Sequence, residues 1–409
     1  NGNNGIAGTS VQADGNLRVQ STGDSLTANA DLTSTAGNVT AVPNISDSAQ
    51  SDLISTGALV LTAGGAITLN DGSNGNNGIA GTSVQADGNL RIQSTGASLT
   101  ANADLTSTGG NVTLLADQDV DLQAGVTVST GDDANENYTF YGEATNGSWT
   151  MAGDATIRTG ITGAGGVTTG DLYLKVGSGT EDDLTVGDLD ADGGNLYLQS
   201  AGAILDADGA DRDLTAAGAA LDAGTQIGML GSSADPLELS VDTLAAVADG
   251  DGGINLLEDN GVTVTTVESL ADTTYSAVVQ QVQADGTTST VNKAALSDLR
   301  TTGTSAASGS IVLRVTNGNL TLQDGTAPAN DSAVAADVGS SGNILLETLD
   351  ADTTLTAESN AGISSGTGNL TLKANGTVDL QDGVAVATAG SGTITLLAST
   401  GDLTMDPTA

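Results

Sequence analysis

The feature that most constrains this chain is a short phrase that returns along its whole length. Gly-Asn followed by Leu, Val or Ile occurs at Gly15-Asn16, Gly37-Asn38, Gly88-Asn89, Gly110-Asn111, Gly194-Asn195, Gly318-Asn319, Gly342-Asn343 and Gly368-Asn369. From Gly318 onward it returns at Gly342 and Gly368, and Gly392 continues the series at nearly even intervals. A period of roughly two dozen residues belongs to solenoids and propellers. After Gly368 come three runs in which apolar and polar residues alternate: Leu370 and Leu372, then Val378 and Leu380, then Val384 and Val386. Alternation with period two is the pattern of a half-buried strand, and each run closes on Gly, Asn or Asp. The stretch from Gly110 to Gly131 repeats the arrangement, with Gly125 at the offset that Gly383 occupies later.

Three short strands and three corners in about 24 residues describe one coil of a right-handed parallel β-helix, an all-β solenoid. A propeller blade needs about forty residues in four antiparallel strands, which the spacing does not supply. About seventeen coils stacked at roughly 4.8 Å would extend some 80 Å. The inward Leu, Val and Ile would form ladders along the axis, and each Asn after a corner glycine could bond to its equivalent in the next coil.

Larger duplications overlie this period. Residues 1–40 return at 74–113, differing only as Val19 against Ile92, Asp24 against Ala97 and Ala36 against Gly109. Ser48–Gly72 resembles Ala294–Gly325, both running through Ser-Asp-Leu to a closing Asp-Gly. The expected organisation is β-helix over 1–131, 171–264 and 308–409, interrupted by an aromatic insertion at 132–170 and a hairpin insertion at 265–307. Asp285-Gly286, flanked by alternating runs, is the hairpin signal. That hairpin either projects from the coils or covers one face of them.

Composition fits a thin core. The chain has 57 Gly, 4 Pro, one Trp, one Phe and neither Cys nor His, and its 38 % apolar residues are mostly aliphatic. Fifty acidic residues face nine basic ones, a net charge of −41. High charge with low hydrophobicity would signal disorder, but charged residues are only 14 % and the alternation is strict. Nucleic acid is disfavoured as a partner, because binding it requires Lys and Arg to neutralise phosphates. No apolar run is long enough for a transmembrane helix, and no signal peptide is legible. Opening inside a repeat, the chain reads as a fragment or a processed mature region.

Chemistry is sparse. Without His or Cys, Ser-His-Asp and Cys-His nucleophile systems are excluded. A β-helical polysaccharide-degrading enzyme working through paired carboxylates is the remote alternative to a non-enzyme. No cofactor is required, and the acidic corners could take Ca²⁺. Asp188, Asp190, Asp192 and Gly193 match the first half of an EF-hand loop, but the twelfth position is Gln199. Asp206 with Asp208, and Asp249 with Asp251, are shorter relatives; aspartates also simply make good turns. Tyr138, Phe140, Tyr141 and Trp149 could contact a glycan or a protein, or could pack a wider local coil.

The units GNVTLLADQDVDLQAG, GNLYLQSAGAI and GTITLLASTGDLTM resemble the repeats of filamentous-haemagglutinin-type adhesins and related giant bacterial surface proteins. The resemblance covers most of the chain outside the two interruptions. It implies a right-handed parallel β-helix, secretion across an outer membrane, and a role in attachment, biofilm or surface fibres. Neither an amino-terminal secretion domain nor a carboxy-terminal anchor is legible. Two functions follow as expectations: an extracellular structural protein that stacks on copies of itself, or an adhesin segment that binds glycans or a cell surface through its insertions.

Overall fold

In the computed structural model, the described strands of the coils lie parallel to their counterparts in the next coil. The described residues are 53–70, 82–131, 137–160, 170–209, 211–267, 279–302, 309–325 and 342–406. Strands between residues 6 and 47, and at 334–335, are described by backbone alone, as are residues 70, 82, 83 and 192. The corner residues Gly15, Asn16, Gly37 and Asn38 lie outside the described residues. The chain divides into two units, Asn1–Gly194 with Thr273–Asn292, and Asn195–Asp272 with Lys293–Ala409.

In the first unit the leading strands stack in register as Leu17, Val39, Leu59, Leu90, Val112, Phe140 and Leu172. Second strands stack as Ile67, Leu99, Val120, Trp149 and Leu184. Third strands stack as Leu32, Leu53, Val84, Leu105, Val128, Ile157 and Leu189. Leu59, Leu90, Val112, Phe140 and Leu172 are all fully buried, so each ladder is a column of core. The tandem copy acquires a structural meaning here. Three coil steps, Leu17 to Val39 to Leu59 to Leu90, span the interval from Asn1 to its copy at Asn74, so what was duplicated is a block of whole coils.

The second unit stacks Ile254, Ile311, Ile344, Leu370 and Ile394 in one ladder, and Val262, Leu320, Leu355, Val378 and Leu403 in another. Its third strands stack through Leu299, Val334, Ile363 and Val386. Ser48–Gly72 and Ala294–Gly325 run through the same order of third, first and second strands. These are Leu53–Ser55, Leu59–Ala63 and Ile67–Asn70 in one, and Leu299–Thr301, Ile311–Val315 and Leu320–Leu322 in the other.

Coil length varies more than an even period implies. The step from Leu90 to Val112 is short, whereas those from Phe140 to Leu172 and from Ile311 to Ile344 are each half as long again. Gly318-Asn319 therefore does not share a corner with Gly342-Asn343, although the interval between them matches the repeat. Asn319 precedes the second-strand residue Leu320, whereas Asn343 precedes the first-strand residue Ile344. Register follows the apolar ladder, because a slip of one residue would turn it outward; the corners absorb the extra length.

The segment expected as an aromatic insertion is a coil of its own. Phe140–Ala144, Trp149–Met151 and Thr156–Arg158 each pair in parallel with the coils on both sides. Residues 132–136 and 161–169 of that expected insertion lie outside the described residues. The hairpin around Asp285-Gly286 pairs Gln280–Val282 antiparallel with Thr288–Thr290, and Gly286 has φ of 83°, in the left-handed region that glycine favours. It covers a face of the coils: the Val282 N–H donates to Thr113 Oγ1 at 2.9 Å, and the Gln280 N–H to Thr139 Oγ1 at 2.7 Å. Arg91, only 6 % exposed, donates to the Val282 carbonyl from beneath it.

Corner asparagines link successive coils. Asn89 Oδ1 accepts the Asn111 N–H at 2.9 Å, and Asn111 Oδ1 accepts the Thr139 N–H at 2.8 Å. Asn343 Oδ1 accepts the Asn369 N–H at 2.9 Å, and Asn369 Oδ1 accepts both the N–H and the hydroxyl of Thr393. Each carbonyl satisfies a backbone donor that the turn would otherwise leave without a partner. Asn111→Ala should therefore destabilise by about 1–3 kcal/mol, the cost of an orphaned donor, and more than Asn146→Ala at an exposed corner. Chemical denaturation of the two variants checks the difference.

Candidate metal centre

Among the described residues, one group of carboxylates is brought together closely enough to share an ion. It consists of Asp206, Asp213 and Glu238, whose nearest ligand oxygens all lie within 4.8 Å of one another. Asp206 ends the strand Ile204–Asp206 and folds back onto its own turn, accepting the N–H groups of Asp208 at 2.7 Å and Gly209 at 2.6 Å. Gly209 takes φ of 84°, which a side chain would resist, so the turn is fixed by its sequence. Asp213 sits one residue before Leu214, which pairs with Leu239 on the next coil. That register puts Asp213 beside Glu238, and its Oδ2 accepts the Glu238 N–H at 2.8 Å.

Burial is uneven across the group. Asp213 is 1 % exposed and its Oδ1 has no hydrogen-bond partner. Glu238 is half-buried, and its Oε2 is likewise buried without a partner. Burial raises the Asp213 pKa above the ordinary carboxylate range; the Glu238 N–H opposes this and the charge of Asp206 adds to it. Burial, followed by Asp206, raises Glu238 in the same direction. Asp235, held by the Met229–Asp235 bridge, lies at the edge and is raised by burial and by Asp206. On the Glu238 side a cavity of about 260 Å³ is lined by Arg212, Leu239, Leu257, Asp259 and Thr316 among others, and Arg212 is paired with Asp259 at 2.5 Å.

Only part of this group is visible in the sequence. Asp206 is one of the aspartates singled out there, and Asp208 flanks it, exposed. Asp213 and Glu238 are not, because they meet only through strand register between consecutive coils. Glu238, between Leu237 and Leu239, reads as an ordinary outward residue of an alternating strand. Asp188 and Asp190 are not in a loop at all: both lie in the strand Asp188–Ser200, where Leu189 and Ala191 point inward. An extended backbone spreads alternate residues along one face instead of wrapping them around an ion, and Asp190 lies 3.9 Å from Arg158. The side chain of Asp192 lies outside the described residues. Asp249 and Asp251 are exposed turn residues that join no such group, and Asp249 accepts the Thr302 hydroxyl.

The aromatic candidates are core. Phe140 and Trp149 are 0 % exposed and meet edge to face at 6.2 Å, so neither ring offers a surface to a glycan. Tyr141 is 4 % exposed, stands 5.5 Å from Tyr173 and donates to Glu143 at 2.8 Å; Tyr138 is half-buried. No family model, curated protein or solved structure matches the chain. No helix among the described residues is long and apolar enough to cross a membrane.

Proposed function

We propose that the chain is a non-enzymatic, extracellular structural module whose coil edge accepts a further coil from a second copy, building a surface filament or stalk. The observation that carries this reading is the parallel stacking itself, in which each coil presents backbone and aliphatic side chains in register to the next, as Ile254, Ile311, Ile344 and Leu370 do. Any coil edge of such a stack, with N–H and C=O groups beside apolar side chains, is a template for another strand, and an added coil would bury both at once. The resemblance to filamentous-haemagglutinin-type repeats supports an extracellular setting and a surface-fibre role.

Sedimentation velocity over a concentration series tests the reading. The wild-type chain is expected to associate, and Leu403→Lys with Met405→Lys to weaken association at least about tenfold, equivalent to ~1.4 kcal/mol. Equal association of wild type and double variant would move the contact away from the coil that holds Leu403 and Met405.

A further inference from the structure

The carboxylate group in the second unit is costly to keep. Three acids within 4.8 Å of one another repel when ionised, and one of them, Asp213, is almost wholly buried. Its Oδ1 and the Oε2 of Glu238 are both buried without partners. Buried polar atoms in folded proteins are nearly always satisfied, so two orphaned oxygens on neighbouring members of one carboxylate group call for a ligand that accepts lone pairs. Asp206 is already aimed by two backbone N–H groups and Asp213 by one, so the oxygens are pre-positioned as an outer shell of bonds positions metal ligands.

We propose that Asp206, Asp213 and Glu238 bind one Ca²⁺ ion, which ties the turn after Ile204–Asp206 to the strand Leu237–Ala248. Every donor is an oxygen, and the chain holds no His or Cys, which selects a hard cation over zinc or copper. Ca²⁺ takes oxygens at about 2.3–2.6 Å, so ligands across the ion sit up to roughly 5 Å apart, a span that accommodates the 4.8 Å limit here. Mg²⁺ demands about 2.0–2.1 Å and octahedral geometry, which suits a smaller cage. The ion replaces the proton that burial otherwise holds in the group, and the net charge of −41 raises its local concentration.

The test is calorimetric titration of the chelator-treated full chain with CaCl₂ at pH 7.5 in about 150 mM NaCl, which screens diffuse attraction. One stoichiometric step is expected, with a rise in melting temperature of about 5 °C at a hundredfold excess over Kd. Glu238→Gln and Asp213→Asn should each weaken that step at least about tenfold. Glu238 is half-buried, so its variant keeps the test meaningful if Asp213→Asn does not fold; circular dichroism identifies that case. Asp249→Asn, at an exposed turn outside the group, should bind as wild type does. An unchanged step in Glu238→Gln, or no step and no thermal shift in the wild type, overturns the proposal and leaves a proton-sharing carboxyl cluster. Tighter binding of MgCl₂ than of CaCl₂ overturns the assignment of the ion.

Discussion

Trp149→Ala is expected to destabilise the first unit by about 3–5 kcal/mol, the range for truncating a fully buried large aromatic. The reason lies in its neighbour. In the leading-strand ladder, Leu114 and Leu174 are separated by Gly142, which has no side chain to give to the column. A Cβ placed on Gly142 would come within 2.7 Å of the Trp149 ring and 2.5 Å of Leu174. The indole occupies the space that a leucine at 142 would fill. Truncating Trp149 alone therefore leaves a hole that no adjacent side chain can close. Combining Trp149→Val with Gly142→Leu would restore the aliphatic pattern of the flanking coils, and should recover a large share of the loss. Denaturant melts of the singles and the pair check this. If Trp149→Ala melts like the wild type, the packing described for this coil is wrong.

The second large effect is a dependence on pH that runs opposite to ordinary acid denaturation. Glu258 is 0 % exposed, and burial pushes its pKa up to about 7 even though the N–H groups of Asn260 and Val241 donate to it. The folded chain therefore keeps a proton that the unfolded chain releases near 4.5. The stability this contributes is fully present below about 4.5, falls as pH rises to about 7, and is flat above that. Its size is on the order of 3 kcal/mol, taken from the pKa difference. Self-repulsion of a chain with net charge −41 adds in the same direction. Glu258→Gln should lower the slope of stability against pH between 5 and 7 by about 1.4 kcal/mol per unit, one proton's worth. Stability measured in chelator that rises from pH 5 to pH 8 would contradict this assignment.

How much of this was legible in the sequence depends on distance along the chain. Strand alternation is local, so the parallel β-helix and the hairpin at Asp285-Gly286 could be read directly. Coil length could not, because corners of any size leave the ladder intact: Gly318 and Gly342 look like one period and occupy different corners. The aromatic coil looked like an interruption because Gly142 and Trp149 exchange the usual sizes of two positions, and a size exchange is invisible to a pattern of apolar and polar residues. Aspartates clustered in sequence carry the expectation of an ion site. Yet Asp188 and Asp190 are strand residues, while Asp213 and Glu238 are joined by the pairing of Leu214 with Leu239. Register creates that proximity, and register is set by the whole stack.

Under the proposed function, one coil edge takes a further coil from another copy, so that copies join in series. Electron microscopy of the purified chain across a concentration series tests it most directly. The expected particles lengthen in whole multiples of one chain, and shorten to single chains in the Leu403→Lys, Met405→Lys variant. Single-chain particles at every concentration, with wild type and variant alike, would contradict it.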